Sequence, residues 1–455
     1  MAPCVIVRAV SEANPAAQSK GAQWAAAYLA IALLPLPIAL WRRADAEAGR
    51  GFWIEFGVAL GFVGLAMMVL QFALTARFRW IGRGLGLDDM MQVHRQAGIL
   101  AVVFVLAHPL ILFVAHRPFL SFLDPRENAP RALALTTVTA AALLLVILPL
   151  ARRRLRLSYE WWRLTHASLG ALALLIGIAH VLMVGNYVSG LVKPAMWIAM
   201  TGGALLLLAH TRIVRPVAMR RRPWRVSEVR SEAPRLWTLA LDADGHEGMS
   251  FHPGQFAWLS LEPSPLTLQQ HPFTIASSAE KPARIELTIK ELGDFTGRIG
   301  QVQPGTPAYL EGPYGNFSPD ATQADALVFV VGGVGITPAM SALRTLRDRG
   351  DRRRIILVYG SDTREKAAFR DELERLEDAL DLQVRLVLDH PPAGWKGARG
   401  PISSELLAEA TAAAGDGQTH HFVCGPDPMM DGVETALISN GVPPARIHTE
   451  RFNLV

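Results

Sequence analysis

The chain has 455 residues, of which 51% are hydrophobic and only 19% charged, and its mean hydropathy is positive; that balance argues against an ordinary soluble enzyme and for membrane segments. Two cysteines at opposite ends, Cys4 and Cys424, exclude a disulfide framework and a cysteine-rich metal or iron–sulfur site, so any metal must use other ligands. The net charge of +5 does not point to nucleic acid, because the arginine clusters flank apolar runs, where they set membrane topology.

Before residue 215 the sequence contains six apolar stretches, at approximately 24–41, 53–76, 93–115, 132–150, 161–185 and 192–211. Each has the length that a helix rising about 1.5 Å per residue needs to cross about 30 Å of hydrocarbon. The first follows a polar leader, residues 1–23, contains Pro35 and Pro37 and ends at Trp41-Arg42-Arg43. Without a small-residue cleavage pattern it reads as a membrane helix rather than a signal peptide. With the amino terminus inside, inner segments hold Arg8, Lys20, Arg77, Arg79, Arg83, Arg152, Arg153, Arg154, Arg156 and the run Arg212 to Arg225. The outer loops hold fewer cations, although Arg42, Arg43 and Arg50 weaken the bias. Both termini are therefore expected on the cytoplasmic side.

Four histidines carry the chemistry of this half: His94, His108, His166 and His180. Within each of two helices the pair is fourteen residues apart, close to four turns, so both imidazoles share a face about 21 Å apart. The third and fifth helices run in the same direction, which matches His94 with His166 near the inner surface and His108 with His180 near the outer one. Each pair can hold one haem iron from both axial sides. A single buried histidine bonded to a neighbouring helix is the plain alternative, but ionisable groups within membranes usually mark function. His116, His210, His246 and His252 lack such pairing and read as interfacial or surface residues.

After residue 215 short β-branched runs are broken by Pro and Gly, as in Pro253 to Leu259, the pattern of a small antiparallel barrel over 216–322. From 323 to 455 apolar strands such as Ala326 to Val331 and Ile355 to Tyr359 alternate with helical stretches, as in a parallel, nucleotide-binding α/β domain. His271-Pro272-Phe273-Thr274 ends in a hydroxyl suited to a flavin edge, and Gly293-Asp294-Phe295-Thr296 offers a Gly turn and a hydroxyl suited to a pyrophosphate. Alone, each is equally an ordinary strand end or loop. Gly312-Pro313-Tyr314-Gly315 follows. Then Gly332-Gly333-Val334-Gly335-Ile336-Thr337-Pro338 lies between a strand and a helix, where backbone N–H groups meet phosphate. It lacks the full G-x-G-x-x-G pattern of a generic Rossmann dehydrogenase.

Taken in order, these pieces resemble the ferredoxin-reductase type of flavoprotein, and with the histidine pairs they resemble the ferric reductase and NADPH oxidase superfamily over about residues 50–455. The resemblance implies a six-helix transmembrane bundle with two b-type haems, an antiparallel β-barrel for FAD and an α/β domain for NADPH or NADH. It implies that Thr274 lies near the reactive flavin nitrogen, that Lys290, Gly293, Phe295, Thr296 and Gly312 surround the FAD, and that Gly332, Gly333, Gly335, Thr337 and Pro338 hold the dinucleotide. Cys424-Gly425-Pro426 is expected beside the nicotinamide, and Glu450-Arg451-Phe452 at the same locus, with Phe452 as an aromatic lid. A small buried strand residue and plain core packing are the bland readings of Cys424 and Phe452. Ser361 and Arg364 are candidates for a 2′-phosphate, since Arg offers a bidentate fork, whereas Asp362 argues the other way; the reading leans to NADPH.

The expected function is electron transfer from cytosolic NAD(P)H through FAD and two haems across a bacterial plasma membrane. Oxygen is the first-placed acceptor, with superoxide as product. Ferric or cupric complexes and a periplasmic protein partner are the alternatives. Several animal oxidases carry a further histidine one turn beyond the outer ligand of the third helix, where this chain has Leu112. A channel with a proton relay of histidines would hold no haem.

Overall fold

A computed structural model describes residues 15–41, 50–77, 87–152, 154–185 and 187–451. The early leader, Arg42, Arg43, Arg79, Arg83, Arg153 and the proposed lid Phe452 lie outside the described residues. The described chain forms two compact units, one built from Ala16–Ile81 and Asp89–Arg215, the other centred on Pro216–Val455.

The first unit is helical: α1 (Pro15–Leu33), α2 (Pro35–Leu40), α3 (Phe52–Leu74), α4 (Leu87–Ala115), α5 (Pro125–Ala151), α6 (Tyr159–Val184), α7 (Val192–Ala209) and the short α8 (Arg215–Met219). Together they supply six spans long and apolar enough to cross a membrane. The break between α1 and α2 falls at Pro35, which has no N–H to continue the ladder. α3 is the central helix, with 61% of its apolar window buried against 11–17% in the other spans, as expected for a helix that is hydrophobic all round. On the others large apolar side chains such as Leu110, Val114 and Leu133 are exposed, where a bilayer would cover them.

Two helix starts differ from the sequence expectation. α4 is already helical at Leu87, the first described residue there, well before the apolar run, because Asp and Gln are tolerated in an end that extends beyond the hydrocarbon. α5 begins at Pro125 rather than near 132, capped by Asp124, which accepts from Arg126 N. It then bends at Asn128, whose side-chain oxygen accepts from Arg131 N at 3.0 Å and starts the helix afresh.

The second unit contains two six-stranded sheets. β1 (Trp224–Ala233), β2 (Leu236–Ala243), β3 (Phe256–Ser260), β4 (His271–Thr274), β5 (Arg284–Lys290) and β6 (Pro307–Tyr314) pair antiparallel in the order β4-β3-β6-β1-β2-β5. An isolated bridge from Ile275, just after β4, to Leu287 of β5 joins the two edges and closes the sheet as a barrel. Leu239, Leu259, Ile275, Ile285 and Leu287 fill its interior.

The second sheet is wholly parallel: β7 (Ala326–Gly332), β8 (Arg354–Ser361), β9 (Leu382–Leu388), β10 (Ala398–Arg399), β11 (Thr419–Cys424) and β12 (Ile447–Thr449), in the order β10-β9-β8-β7-β11-β12. β7 is buried throughout, so its run of Val, Leu and Phe serves both faces. Leu327, Phe329 and Val331 pack with α9 (Ile336–Arg349) and α10 (Arg370–Ala379). Val328 and Val330 pack instead with α11 (Ser404–Ala413) and α12 (Asp427–Ser439). Strand order reverses between β7 and β11, and the carboxyl ends of strands at such a switch point form the crevice where open α/β sheets bind ligands.

Candidate functional site

In the helical unit α4 carries His94 and His108, and α6 carries His166 and His180. The His94 and His166 rings have centroids 6.2 Å apart and planes at 70°. His108 and His180 repeat this at 6.3 Å and 68°. With metal–imidazole bonds of about 2.0–2.1 Å and a ring nitrogen roughly 1.1 Å from its centroid, two imidazoles facing across one metal have centroids roughly 6.3 Å apart. The residues present therefore fit two bis-histidine iron sites. Among the described residues no group of three or more His, Cys, Asp or Glu is placed to hold a metal ion, so each site rests on a two-ligand set.

The surroundings of the pairs differ. His108 Nδ1 donates to the Gly57 carbonyl of α3 at 2.9 Å; a carbonyl only accepts, so the proton sits on Nδ1 and leaves the Nε2 lone pair for a metal. At the other pair Trp162, one turn before His166 on α6, lies against that imidazole with centroids 5.6 Å apart. Arg152 covers the Trp162 and Tyr159 rings at 5.5 and 5.2 Å.

In the second unit β4 sets His271, Pro272, Phe273 and Thr274 against β3, with Thr274 opposite Phe256. Phe295 stands beside both aromatic members of that strand, 4.2 Å from His271 and 6.2 Å from Phe273 between centroids. The motifs at 271–274 and 293–296 thus form one surface, joined by His271 and Phe273 of one and Phe295 of the other. Thr296 does something other than expected: its hydroxyl accepts from the N–H groups of Leu292 and Gly293 at 2.9 Å each and donates to Gly293 O. It closes its own loop. Lys290 is exposed at the end of β5. At Gly312 a side chain would press on Ala257 and the Phe256 carbonyl of β3.

The glycine loop and the Cys-Gly-Pro turn, ninety residues apart, are brought into contact by the β7–β11 pairing, in which Val331 faces Cys424. A Cβ at Gly335 would lie 2.4 Å from the Cys424 carbonyl oxygen, and one at Gly332 2.6 Å from Met429 Sδ. A Cβ at Gly425 would in turn lie 3.1 Å from the Gly332 nitrogen. Gly333 has φ +54 and nothing within 4 Å of its Cβ position, so the loop is open on its outer side. Thr337 donates to Val334 O at 3.0 Å, and Pro338 is buried in the first turn of α9. The Ile336 N–H is bonded back to the Gly333 carbonyl, so the positive end of this helix, continued into the open loop by that turn, is a place for a phosphate. Cys424 is fully buried at the end of β11, and Pro426 starts α12. Glu450 reaches the barrel: a Cβ at Gly315, which has φ +100, would lie 2.7 Å from Glu450 Oε1. Arg451 ties the same tail to Asp427 and Asp431 of α12.

At the end of β8 the Ser361 hydroxyl donates to Thr363 O at 3.0 Å, while Arg364 is exposed. Asp362 pairs with Lys366. The hydrogen bond from Lys366, with the charges of Lys366, His390 and Lys290, holds the Asp362 carboxyl below its ordinary range.

Comparison with known proteins follows this division. Residues 60–178 match the family described as "Ferric reductase like transmembrane component", 238–318 an "FAD-binding domain" and 329–435 an "Oxidoreductase NAD-binding domain". Ferredoxin–NADP reductase B of Sorangium cellulosum is 30% identical over 236 residues, which are 50% of this chain and 96% of that one. This chain belongs to the ferredoxin–NADP reductase family, with a ferric-reductase-like membrane domain fused before it. The reductase component of propane 2-monooxygenase from Rhodococcus jostii is 28% identical over 50% of this reductase and 62% of its own length. NADH–cytochrome b5 reductase 1 of Cryptococcus neoformans is 27% identical over 38% and 63%. This reductase therefore spans less than two thirds of the last two.

The reductase is an integral membrane oxidoreductase that uses NAD(P)H and FAD for electron transfer. Sequence reading missed two of its features. One is the Gly57 carbonyl on His108, for which the signal was Gly57, Gly61 and Gly64 in an otherwise bulky helix. The other is Arg344 of α9, 6% exposed, which donates to both Glu372 oxygens, to Glu286 of β5 and to Ala276 O. It binds barrel to nucleotide domain within this unit. Nothing local in the sequence signals partners 28, 58 and 68 residues away.

Proposed function

We propose that the protein carries electrons from NAD(P)H, with NADPH preferred, through FAD and two bis-histidine b-type haems to oxygen at the outer face of a bacterial plasma membrane. The observation that carries this reading is the repetition of one geometry, 6.2 and 6.3 Å between imidazole centroids, at two levels of the same two helices. His94 and His166 would hold the inner haem and His108 and His180 the outer one, within a membrane domain over 24–215, with FAD on 216–322, NAD(P)H on 323–455 and both termini cytoplasmic. When bound, FAD takes up hydride as a two-electron unit and releases single electrons, which is the chemistry that haem irons relay.

The chain's own part is binding, spacing and exclusion of water. The loop 332–338 and the first turn of α9 orient the dinucleotide phosphates. His271 to Thr274, with Lys290, Gly293, Phe295, Thr296 and Gly312, seat the flavin; Thr274, Cys424, Glu450 and Phe452 border the hydride path. Thr296 would act by holding its loop in shape, and Ser361 and Arg364 would read the 2′-phosphate. With two histidines supplied to each iron, His94 and His166 or His108 and His180 would hold the haem without leaving a place for the acceptor on the metal, so the acceptor would be reduced without binding iron. Ile111 and Leu112 pack beside Gly57 at the outer pair, an apolar neighbourhood that suits a small neutral acceptor. Each NAD(P)H oxidised gives up two electrons and one proton inside and yields two superoxide outside.

The test is to reduce the purified full chain anaerobically with NADPH and then admit either air or a ferric chelate. Rapid reoxidation by air with superoxide release is expected. Slow reoxidation by air and fast reoxidation by the chelate would replace oxygen with a metal complex, and slow response to both would point to a periplasmic protein acceptor.

A further inference from the structure

The two histidine pairs are alike in spacing but not in support. At the inner pair His94 Nδ1 and His166 Nδ1 are buried with no hydrogen-bond partner among the described residues. At the outer pair His108 Nδ1 is held at 2.9 Å by the Gly57 carbonyl. Its ring also lies directly on α3 at Gly61: a Cβ there would be 2.8 Å from Nδ1, 2.9 Å from Cγ and 3.3 Å from Cε1 of His108. Real Cβ contacts are essentially never as short as the first two. Pro109 follows His108 within α4 and removes the N–H that would reach back to Val105, so the helix lacks one ladder bond at this level.

We infer that Gly57 and Gly61 form a positioning seat for His108, the Gly57 carbonyl fixing its tautomer and the missing side chain of Gly61 leaving room for its ring. The inference rests on the bis-histidine reading above. Glycine is needed at 61 for space and not for backbone freedom, since the residue is helical. An imidazole that donates from Nδ1 to a carbonyl is a stronger metal donor through Nε2, and such outer partners commonly carry tenfold or greater effects on metal affinity. The seat thus acts on the outer site alone and favours its oxidised iron.

The experiment is Gly61→Ala in the full chain, read by haem-to-FAD ratio and by redox titration, with flavin reduction by NADPH as the sign of an intact fold. Expected is loss of one haem of two, or retention of both with one component of the titration moved to higher potential. Gly64→Ala is the packing control: its Cβ would press on Val105 Cγ2 at 2.9 Å, on the Val105 nitrogen at 3.0 Å and on Phe104 Cβ at 3.1 Å, a crowding of the same helix at least as firm, with no imidazole among its three nearest atoms. It should keep both haems and both potentials. Gly57→Ala is the milder variant, because its Cβ meets Ile111 and Leu112 side chains at 3.3 Å, which can yield; it should shift one potential without losing haem. In a His180→Ala background the remaining haem should ignore Gly61→Ala. Unchanged haem content and potentials in Gly61→Ala, equal effects from Gly64→Ala, or a response of the remaining haem in the His180→Ala background would overturn the seat. A wild-type protein without haem would instead overturn the bis-histidine reading itself.

Discussion

The two halves of this protein assemble their sites in opposite ways. In the membrane half four ligand candidates come from two helices, and a spacing of fourteen residues on each is carried through space by the regular rise of the helix. In the dehydrogenase half the residues come from β3 to β6, the 293–296 loop, the α9 start, the β11 turn and the tail, and only the sheet topology makes them neighbours. The first kind of site is expected to lose one level without losing the other. The second depends on how its two lobes are held together, and Arg344 holds them.

The largest effect that separates the halves is expected from His108→Ala or His180→Ala, which should lower bound haem from about two to about one per FAD while flavin reduction by NADPH survives. Loss of flavin reduction in a folded variant would break the division. Next is Arg344→Ala, which leaves Glu286 and Glu372 without their shared cation. Removal of one partner of a buried pair costs about 3 kcal/mol or more; thermal unfolding of the dehydrogenase half and FAD release should both move down while haem content stays. The same variant changes pH dependence. Burial raises the Glu286 pKa, but the Arg230 hydrogen bond and the charges of Arg344, Arg230 and Arg284 outweigh it and hold the carboxyl below its ordinary value of 4.5. The stability this gives is present above 4.5 and is lost as pH falls through the lower folded value, so the acid limb of wild type should be steeper than that of Arg344→Ala.

A smaller effect concerns the β11–β12 edge, where His420 Nδ1 and His448 Nε2 are 2.8 Å apart and His448 stacks on Phe422. Burial, with the charge of His420, pushes His448 down to about 4. Because the folded value is the depressed one, the stability is present above 6.5 and is lost as pH falls from 6.5 towards about 4. His448→Phe keeps the stacking and should flatten thermal unfolding across that window; an unchanged slope would remove the histidine from the account of acid sensitivity. The smallest is Arg364→Ala, expected to raise the KM for NADPH several-fold and spare NADH, on the scale of about 1 kcal/mol for one exposed charge. Equal changes for both nucleotides would take Arg364 out of the 2′-phosphate site.

Legibility in the sequence follows the same contrast. The six spans, the barrel and the parallel domain were readable because hydropathy and strand length are local properties. The histidine register was readable because a helix converts sequence distance into spatial distance. The start of α5 was not, since Asp124 and Asn128 cap a polar segment that hydropathy passes over. Thr296 was readable as a loop hydroxyl but not in its partners, because a Ser or Thr side chain bonds its own backbone as readily as a ligand. The Gly57 carbonyl left no trace in residue type, being backbone; only the small residues around it hinted that another helix comes close.

The most direct measurement is the visible absorption spectrum of the purified full chain with FAD, taken anaerobically before and after NADPH, with haem and flavin quantified on the same sample. Two haems per FAD, both reduced by NADPH, is the expected result; protein that binds FAD and no haem, or haem that NADPH leaves oxidised, would contradict the electron path.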